Sequence, residues 1–399
     1  MADPTPTARK SGFRLRKLWL DVHLWIGAGL FVLLIPLSLT GSALVWRDGL
    51  DRIFHANRYH TTEAQAGLAP SAYLAAAQAA LPHDMRPARI SYPDRLGDPV
   101  VVQGRGRGEP GKRPPSANVW LDPADARVLD AGPGMDGAVR FMHDLHGQLF
   151  LRQTGRKIVG WLGWAMLVNC LTGIWLWWPR RGPVWRGLRW SRSTSFNINL
   201  HHLVGFWIMI PLAVLSLTGA WIAFPQFFAA VTGPFTGAHP QAEGAGGNRP
   251  PGPPPGAPEA RGRPRLSPDQ VAATALTQAA GSQIASLAMP SGGREPVWQV
   301  ELRPSASQPR QTLRISDRTG LIQTGPARPA GGGPLARLVR RIHDGDDTGW
   351  FWRAIITVAG IAPAVLGVTG VIMWLRRRRV KMAAQASIGV QTTSGRSAD

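Results

Sequence analysis

Four long apolar runs constrain this chain more than any other feature, because none of them contains a charged residue. They are Leu24–Trp46, Ile158–Trp178, Leu203–Phe224 and Ala354–Leu375. A helix needs about 20 residues to cross the ~30 Å hydrocarbon core of a bilayer, and each run is long enough. Core helices of soluble proteins seldom stay uncharged over such lengths. We therefore predict an α-helical membrane protein with a four-transmembrane-helix bundle.

Basic residues are concentrated in the short segments that flank these runs. Residues 1–17 carry five basic side chains against one acidic side chain, and residues 179–199 carry five arginines and no acid. Four arginines directly follow the last run, whereas residues 47–140 are nearly balanced, with twelve basic and eleven acidic side chains. The positive-inside rule then predicts a multi-pass protein of the bacterial cell inner membrane, with both termini in the cytoplasm.

Composition excludes several classes of partner and cofactor. The net charge of +21 is explained by the topology and by attraction to anionic membrane lipid. No nucleic-acid partner is expected, because no basic helix is interleaved with aromatic residues for base stacking. Cys170 is the only cysteine, which excludes disulfides within the chain, iron–sulfur ligation and attachment of a c-type haem.

An internal repeat relates the two halves of the chain. The first and third runs align without gaps, and so do the second and fourth. In the first alignment, His23, Gly27 and Ser38–Gly41 match His201, Gly205 and Ser216–Gly219. In the second alignment, His146, Gly163, Thr172, Gly173 and Trp177 match His343, Gly360, Thr369, Gly370 and Trp374. We therefore predict an internally duplicated bundle.

The polar segments that follow the first and third runs also match each other. Each begins with a helix candidate, Ser71–Leu81 or Pro268–Ala280, and continues with three strand candidates and a turn. The strand candidates are Ala88–Tyr92, Val100–Gln103, Val119–Leu121, Ile284–Ala288, Val297–Leu302 and Thr312–Ile315. We predict two small α+β domains outside the membrane.

These elements define the predicted domain boundaries. In chain order they are a cytoplasmic N-terminus with the first span at 1–46, the first extracytoplasmic domain at 47–140, a periplasmic segment with the second span at 141–178, a cytoplasmic loop at 179–199, the third span at 200–225, the second extracytoplasmic domain at 226–342, a periplasmic segment with the fourth span at 343–375, and a cytoplasmic tail at 376–399. Within the second domain, residues 244–265 are rich in Pro and Gly and are predicted to form a disordered linker.

The repeat singles out four of the ten histidines. His23 and His201 open spans that run outward, so they are expected at the cytoplasmic ends of their helices. His146 and His343 precede spans that run inward, so they are expected at the extracytoplasmic ends. One histidine pair near each membrane face is what two b-type haems, each with two axial imidazoles, would need.

Other interpretations of these residues stay open. The histidines are also compatible with solvated side chains at helix ends, and His202 and His143 compete with their neighbours His201 and His146 as ligands. Gly27 and Gly205 follow their histidines by one helical turn and would leave room for a porphyrin edge. Small residues that let two helices approach each other explain both glycines equally well.

The position of His146 requires a break in the chain before the second span. His146 lies 26 residues before Thr172, and a continuous helix of that length rises about 39 Å, more than the hydrocarbon core. We predict that Gln153–Gly155 breaks the helix. His146 then lies on a short segment that folds back toward the bundle.

Several motifs resemble those of the PepSY-associated transmembrane proteins. They are His23-Leu-Trp-Ile-Gly, the Leu-Thr-Gly helix ends, Leu145-His146-Gly147 and Gly173-Ile-Trp-Leu-Trp-Trp-Pro-Arg. The resemblance covers all four spans and, more weakly, both polar domains. That family includes inner-membrane reductases of ferric siderophores, so the resemblance implies haem ligation at the four histidines and PepSY-like extracytoplasmic domains. Some relatives carry a cytoplasmic flavin and nicotinamide domain, and this chain has no such segment.

The resulting functional hypothesis is a dihaem electron carrier with oxidoreductase activity. An inner haem b on His23 and His201 would accept an electron, and an outer haem b on His146 and His343 would pass it to ferric iron in a siderophore or similar chelate. The donor would be a quinol or a cytoplasmic flavoprotein. Two alternatives remain: a membrane-anchored PepSY binding or regulatory module without redox activity, and a transporter with helices broken at Pro36, Pro211 and Pro363.

Overall fold

The structure is a computed structural model that describes residues 12–62, 65–107, 114–135, 137–179, 193–236, 264–290, 295–303, 311–323 and 333–394. Most of the predicted cytoplasmic loop and nearly all of the predicted linker 244–265 lie outside these ranges. The described residues fall into two compact units. The helical unit lies within Met1–Arg47, Phe141–Ala242 and Gly331–Asp399, and the sheet unit lies within Asp48–Arg140 and Glu243–Ala330.

Four of the helices are membrane spans by length and composition. The helices are α1 (Gly12–Leu44), α2 (Arg47–Phe54), α3 (Pro70–Ala80), α4 (Gly137–Gln148), α5 (Arg152–Trp177), α6 (Phe196–Ala223), α7 (Pro225–Thr236), α8 (Pro268–Gln278), α9 (Pro334–Asp344) and α10 (Gly349–Ser394), with a 3-10 turn at Ala56–Tyr59. Among the described residues, α1, α5, α6 and α10 are apolar and long enough to cross a membrane. The predicted set of four membrane helices is confirmed.

Glycine contacts bring these helices together in two matched pairs, α1 with α10 and α5 with α6. A Cβ atom added to Gly163 would lie 2.9 Å from the carbonyl oxygen of Ser216. A Cβ atom added to Gly360 would lie 2.8 Å from the carbonyl oxygen of Ser38 and against the hydroxyl of Ser42. Both backbones therefore approach too closely for any larger residue, as in small-residue contacts between membrane helices.

The break before α5 lies earlier than predicted. The helix α4 ends at Gln148, and α5 begins at Arg152, upstream of the predicted break at Gln153–Gly155. Leu149, Phe150 and Arg152 turn the chain with positive φ angles of 48°, 58° and 52°. Such φ angles are uncommon in residues other than glycine, so composition gave no signal for a turn here. Gly155 lies inside α5, where the carbonyl of Gln148 leaves no room for a Cβ atom.

The strands of both polar segments join in one antiparallel sheet. Its strands are β1 (Arg86–Ser91), β2 (Val100–Arg105), β3 (Ser116–Leu121), β4 (Val128–Gly132), β5 (Gln283–Ala288), β6 (Val297–Arg303) and β7 (Gln311–Ser316), in the order β4-β3-β2-β1-β5-β6-β7. The predicted α+β character is confirmed, and β4 is a strand that the sequence did not indicate. The two halves meet where Ile90 of β1 pairs with Leu287 of β5. Through this pairing, the backbone N–H and C=O groups along the edges of both strands form hydrogen bonds and are no longer exposed.

One face of the sheet carries the core of the sheet unit. Tyr73 and Ala77 of α3 and Val271 and Ala275 of α8 are buried against it. Burial alternates along β6, as expected for a strand with one face toward a core. The two predicted helices therefore cover the same apolar face.

Each half of the sheet unit contains a buried aspartate that accepts several hydrogen bonds. Asp122 accepts hydrogen bonds from the backbone and hydroxyl of Thr62, at 2.9 and 2.7 Å, and from the backbone of Ala124. Asp317 accepts bonds from the backbones of Arg265 and Leu266 and from the Trp298 indole, at 2.9, 3.1 and 2.8 Å. Burial alone would raise the pKa of each carboxyl group, but these hydrogen bonds lower both pKa values below the ordinary value.

Replacing Asp122 with Asn should destabilise the fold by about 1–3 kcal/mol, because the amide would leave a buried donor unpaired. Because the pKa is lowered in the folded state, the carboxylate stabilises the fold fully when the pH is above the ordinary carboxyl pKa of about 4. This stabilisation is lost as the pH falls through the folded-state pKa. The thermal unfolding midpoint of the full-length protein should therefore decline toward about pH 3 less steeply in Asp122→Asn than in wild type. Asp125→Asn, in the exposed part of the same turn, is the control. Equal pH slopes in all three proteins would refute the assignment.

Replacing Gly360 with Ala should lower the thermal stability of the detergent-solubilised protein, because the Ser38 backbone must move. Overpacking of this kind costs about 1–3 kcal/mol. Gly29→Ala is the matched control, since no atom lies within 4 Å of an added Cβ and alanine favours a helix. Equal unfolding temperatures for the two variants would contradict the close packing of α1 and α10.

Candidate functional site

His23 and His201, here called the first pair, face each other within the helical unit. They lie on α1 and α6, their ring centroids are 6.4 Å apart, and the two ring planes are nearly perpendicular at 86°. Both side chains are half-buried. The two histidines that the repeat matched are therefore neighbours in space.

His146 and His343, here called the second pair, face each other in the same way. They lie on the short helices α4 and α9, with ring centroids 6.2 Å apart and an angle of 38° between the rings. Burial lowers the pKa of His146, and burial together with the neighbouring His146 lowers the pKa of His343 to about 3. Both rings are thus neutral at physiological pH, which is the state that binds a metal ion.

The two pairs lie at different heights along α1 and α6. The first pair is carried by these two helices, and the second pair contacts them further along the chain. His343 contacts Thr218 of α6, seventeen residues after His201, which corresponds to about 25 Å of helix. His146 contacts Leu37 of α1, fourteen residues after His23, or about 21 Å. These separations span most of a ~30 Å hydrocarbon core.

Each histidine is bound through Nδ1 to a neighbouring helix. His23 Nδ1 lies 3.1 Å from Thr172 Oγ1 and 3.2 Å from the Asn169 carbonyl oxygen, and His201 Nδ1 lies 2.9 Å from Thr369 Oγ1. In the second pair, His343 Nδ1 lies 2.9 Å from Thr218 Oγ1, whereas His146 Nδ1 lies 2.8 Å from the Leu37 carbonyl oxygen. The repeat alignment contained these threonines, but nothing in the sequence indicated that they contact the histidines.

A glycine lies beneath each imidazole ring, on the helix that binds its Nδ1. Cβ atoms added to Gly173 and Gly370 would lie 3.2 and 3.5 Å from Cε1 of His23 and His201. The corresponding distances for the second pair are 2.6 Å from Gly41 to His146 and 3.1 Å from Gly219 to His343. A residue without a side chain therefore lies against each of the four imidazole rings.

A mostly apolar cavity of about 240 Å³ lies beside the first pair. His23 and His201 line it, together with His202, Asn169 and Arg377. Neither member of the second pair lines this cavity. The cavity is bounded by all four long helices.

Gly27 and Gly205 line the cavity and keep it open. Cβ atoms added to them would meet only Asn169 at 3.7 Å and Leu366 at 3.8 Å, which are ordinary contacts. This differs from Gly163 and from the glycine of α10 that packs on Ser38, where an added Cβ has no room. The interpretation of Gly27 and Gly205 as helix-contact residues is therefore not favoured by the geometry.

Of the two competing histidines, His143 is exposed and His202 lines the same cavity as the first pair. His143 is 55% exposed and lies 3.6 Å from the carboxylate of Asp144. The His202 ring is 6.4 Å from that of His201 and perpendicular to it, on the cavity wall. His146 therefore faces His343 in place of His143, whereas His201 has His23 and His202 at the same ring-centroid distance of 6.4 Å. Arg180, which matches Arg377 in the repeat alignment, lies outside the described residues.

The three prolines considered as helix breaks lie within continuous helices. Pro36, Pro211 and Pro363 are inside α1, α6 and α10. A transporter site built on broken helices is therefore not supported at these positions.

The sequence profile described as the PepSY-associated TM region matches residues 20–377. The chain is also 27% identical over 261 residues to a Pseudomonas aeruginosa (strain PAO1) protein that bears the name Uncharacterized protein PA4219. The match covers 60% of this chain and 64% of the relative, which is less than two thirds of the relative's length.

Proposed function

Since the chain belongs to the PepSY-associated transmembrane family, we propose that it is a membrane electron-transfer protein that binds two b-type haems and reduces chelated ferric iron. The proposal depends above all on the two facing histidine pairs, with ring centroids 6.4 and 6.2 Å apart. An imidazole nitrogen binds a metal ion at about 2 Å, so two rings on opposite sides of one ion have centroids roughly 6 Å apart. Both pairs match this spacing.

The surroundings of the first pair suit a porphyrin. Gly27 and Gly205 leave the space beside the rings free, and the remaining cavity wall is mostly apolar. Arg377 on the same wall offers a positive charge for a porphyrin carboxylate. The axial ligands, the apolar slot and the cation are the parts that a haem site in a helical bundle requires.

The charge distribution supports an orientation in the bacterial inner membrane. The basic segments at 1–17, 179–199 and after the last span favour cytoplasmic termini. The first pair then lies toward the cytoplasm and the second pair toward the periplasm. The histidines would thus set one redox site near each membrane face.

The reaction transfers one electron to each ferric ion. Bound haem would supply reversible one-electron chemistry at its iron. A quinol or a cytoplasmic flavoprotein would donate the electron near the first pair, and Fe³⁺ in a siderophore or similar chelate would accept it and become Fe²⁺ near the second pair. Fe²⁺ is the weaker Lewis acid, so hard oxygen ligands release it more readily. The choice of a ferric chelate rests on the resemblance to the siderophore reductases of the family.

The four histidines should each be needed for a full complement of haem. The detergent-purified protein should give a dithionite-reduced minus oxidised spectrum of low-spin b-type haem, with two haems per chain. His23→Ala or His201→Ala should remove one haem, and His146→Ala or His343→Ala the other, whereas the exposed His143→Ala should retain both. A colourless protein from cells with ample haem would contradict the proposal and favour a membrane-anchored binding module.

Filling the cavity should remove the first haem without unfolding the helices. Gly27→Leu and Gly205→Leu would place a side chain in the open space beside His23 and His201. We expect the haem-to-protein ratio to fall by about half with little change in thermal stability, and Gly29→Leu, which points into open space, to behave as wild type. Full haem content in both cavity variants would place the haem elsewhere.

A further inference from the structure

The hydrogen bonds of the four histidines determine where each imidazole carries its proton. A neutral imidazole has one protonated nitrogen and one with a free lone pair, and the partner of Nδ1 decides which is which. For His146 the partner is the Leu37 carbonyl at 2.8 Å, which can only accept. His146 Nδ1 must therefore donate, so it carries the proton.

The three threonine partners lead to the same assignment. A threonine hydroxyl has a single proton, and here each hydroxyl points it at its own helix. Thr218 Oγ1 lies 2.8 Å from the Val214 carbonyl, and Thr369 Oγ1 lies 2.8 Å from the Val365 carbonyl. Thr172 Oγ1 lies 3.0 Å from the carbonyl four residues before it. With its proton used in this way, each hydroxyl accepts a hydrogen bond from histidine Nδ1.

We propose that Thr172, Thr218, Thr369 and the Leu37 carbonyl are positioning groups that hold all four histidines as Nδ1–H tautomers. Nε2 is then the atom with the free lone pair in every ring. Each ring also packs closely against a glycine, which restricts its rotation. The assignment of the tautomers depends only on hydrogen bonds, whereas the role of Nε2 as an iron ligand rests on the proposed function. A partner that accepts from Nδ1 also makes Nε2 a stronger ligand.

The second pair contains a matched internal control. Thr218 and Thr40 occupy equivalent positions in the repeat, but only Thr218 contacts a histidine. The Thr40 hydroxyl bonds the carbonyls of Pro36 and Leu37, and His146 takes the Leu37 carbonyl directly. Thr218→Val should thus remove the hydroxyl group that accepts from His343, whereas Thr40→Val leaves the partner of His146 in place.

The first test is ¹⁵N NMR of the full-length protein labelled at histidine and prepared in detergent without haem. We expect His146 and His343 to show the Nδ1–H tautomer. In Thr218→Val the His343 signals should shift toward a mixture of tautomers, Thr218→Ser should restore them, and Thr40→Val should leave His146 unchanged. An Nε2–H tautomer at His343 in the wild type, or equal effects of the two valine variants, would overturn the proposal.

The second test uses the haem-loaded protein and measures the midpoint potential and the EPR g-values of each site. Loss of the Nδ1 acceptor weakens the ligand and disfavours the ferric state, so Thr218→Val should raise the potential of one site only. Thr218→Ser and Thr40→Val should match wild type. If Thr218→Val binds haem but has the same midpoint potentials as wild type, the positioning role is refuted and the proposed haem sites are not. A colourless protein would refute the proposed function, while the NMR test would still decide the tautomers.

Discussion

The hydrogen bond between each histidine Nδ1 and a neighbouring helix is the interaction on which the arrangement of the helical unit depends. An imidazole buried without a partner would cost several kcal/mol, so the helix that carries it must lie beside a suitable acceptor. Through these bonds α1 is joined to α5, α6 to α10, α4 to α1, and α9 to α6. The same bonds that satisfy the rings therefore also set which helices are neighbours.

Glycine has two opposite roles in this bundle, and the sequence context does not distinguish them. Gly163 and Gly360 allow two backbones to touch, whereas Gly27 and Gly205 line a cavity and leave the space beside them free. All four lie in apolar stretches and all four are matched in the repeat. The two kinds of glycine are distinguished only by their distance to the facing helix, which is short at a packing position and longer beside open space.

Hydropathy and the repeat predicted the membrane helices and the candidate histidines, because both signals are local or recur along the chain. The turn at Leu149–Arg152 was missed, since it depends on positive φ angles in residues that do not usually adopt them. The pairing of β1 with β5 was also missed, because a contact between residues about 200 apart leaves no local pattern. The threonines were visible as matched residues, but their partners lie on other helices and follow only from the packing.

The shared sheet has a consequence for how the protein is made. The edge of β1 pairs with β5, and β5 follows the third membrane helix in the chain. At a synthesis rate of ~5–20 residues per second, β1 waits roughly 10 to 40 s for its partner strand. During that interval the first half exposes an open strand edge, which is a site for association with other chains. The newly made chain is therefore prone to association until its second half has been translated. A chaperone that acts at this stage would protect the edge of β1.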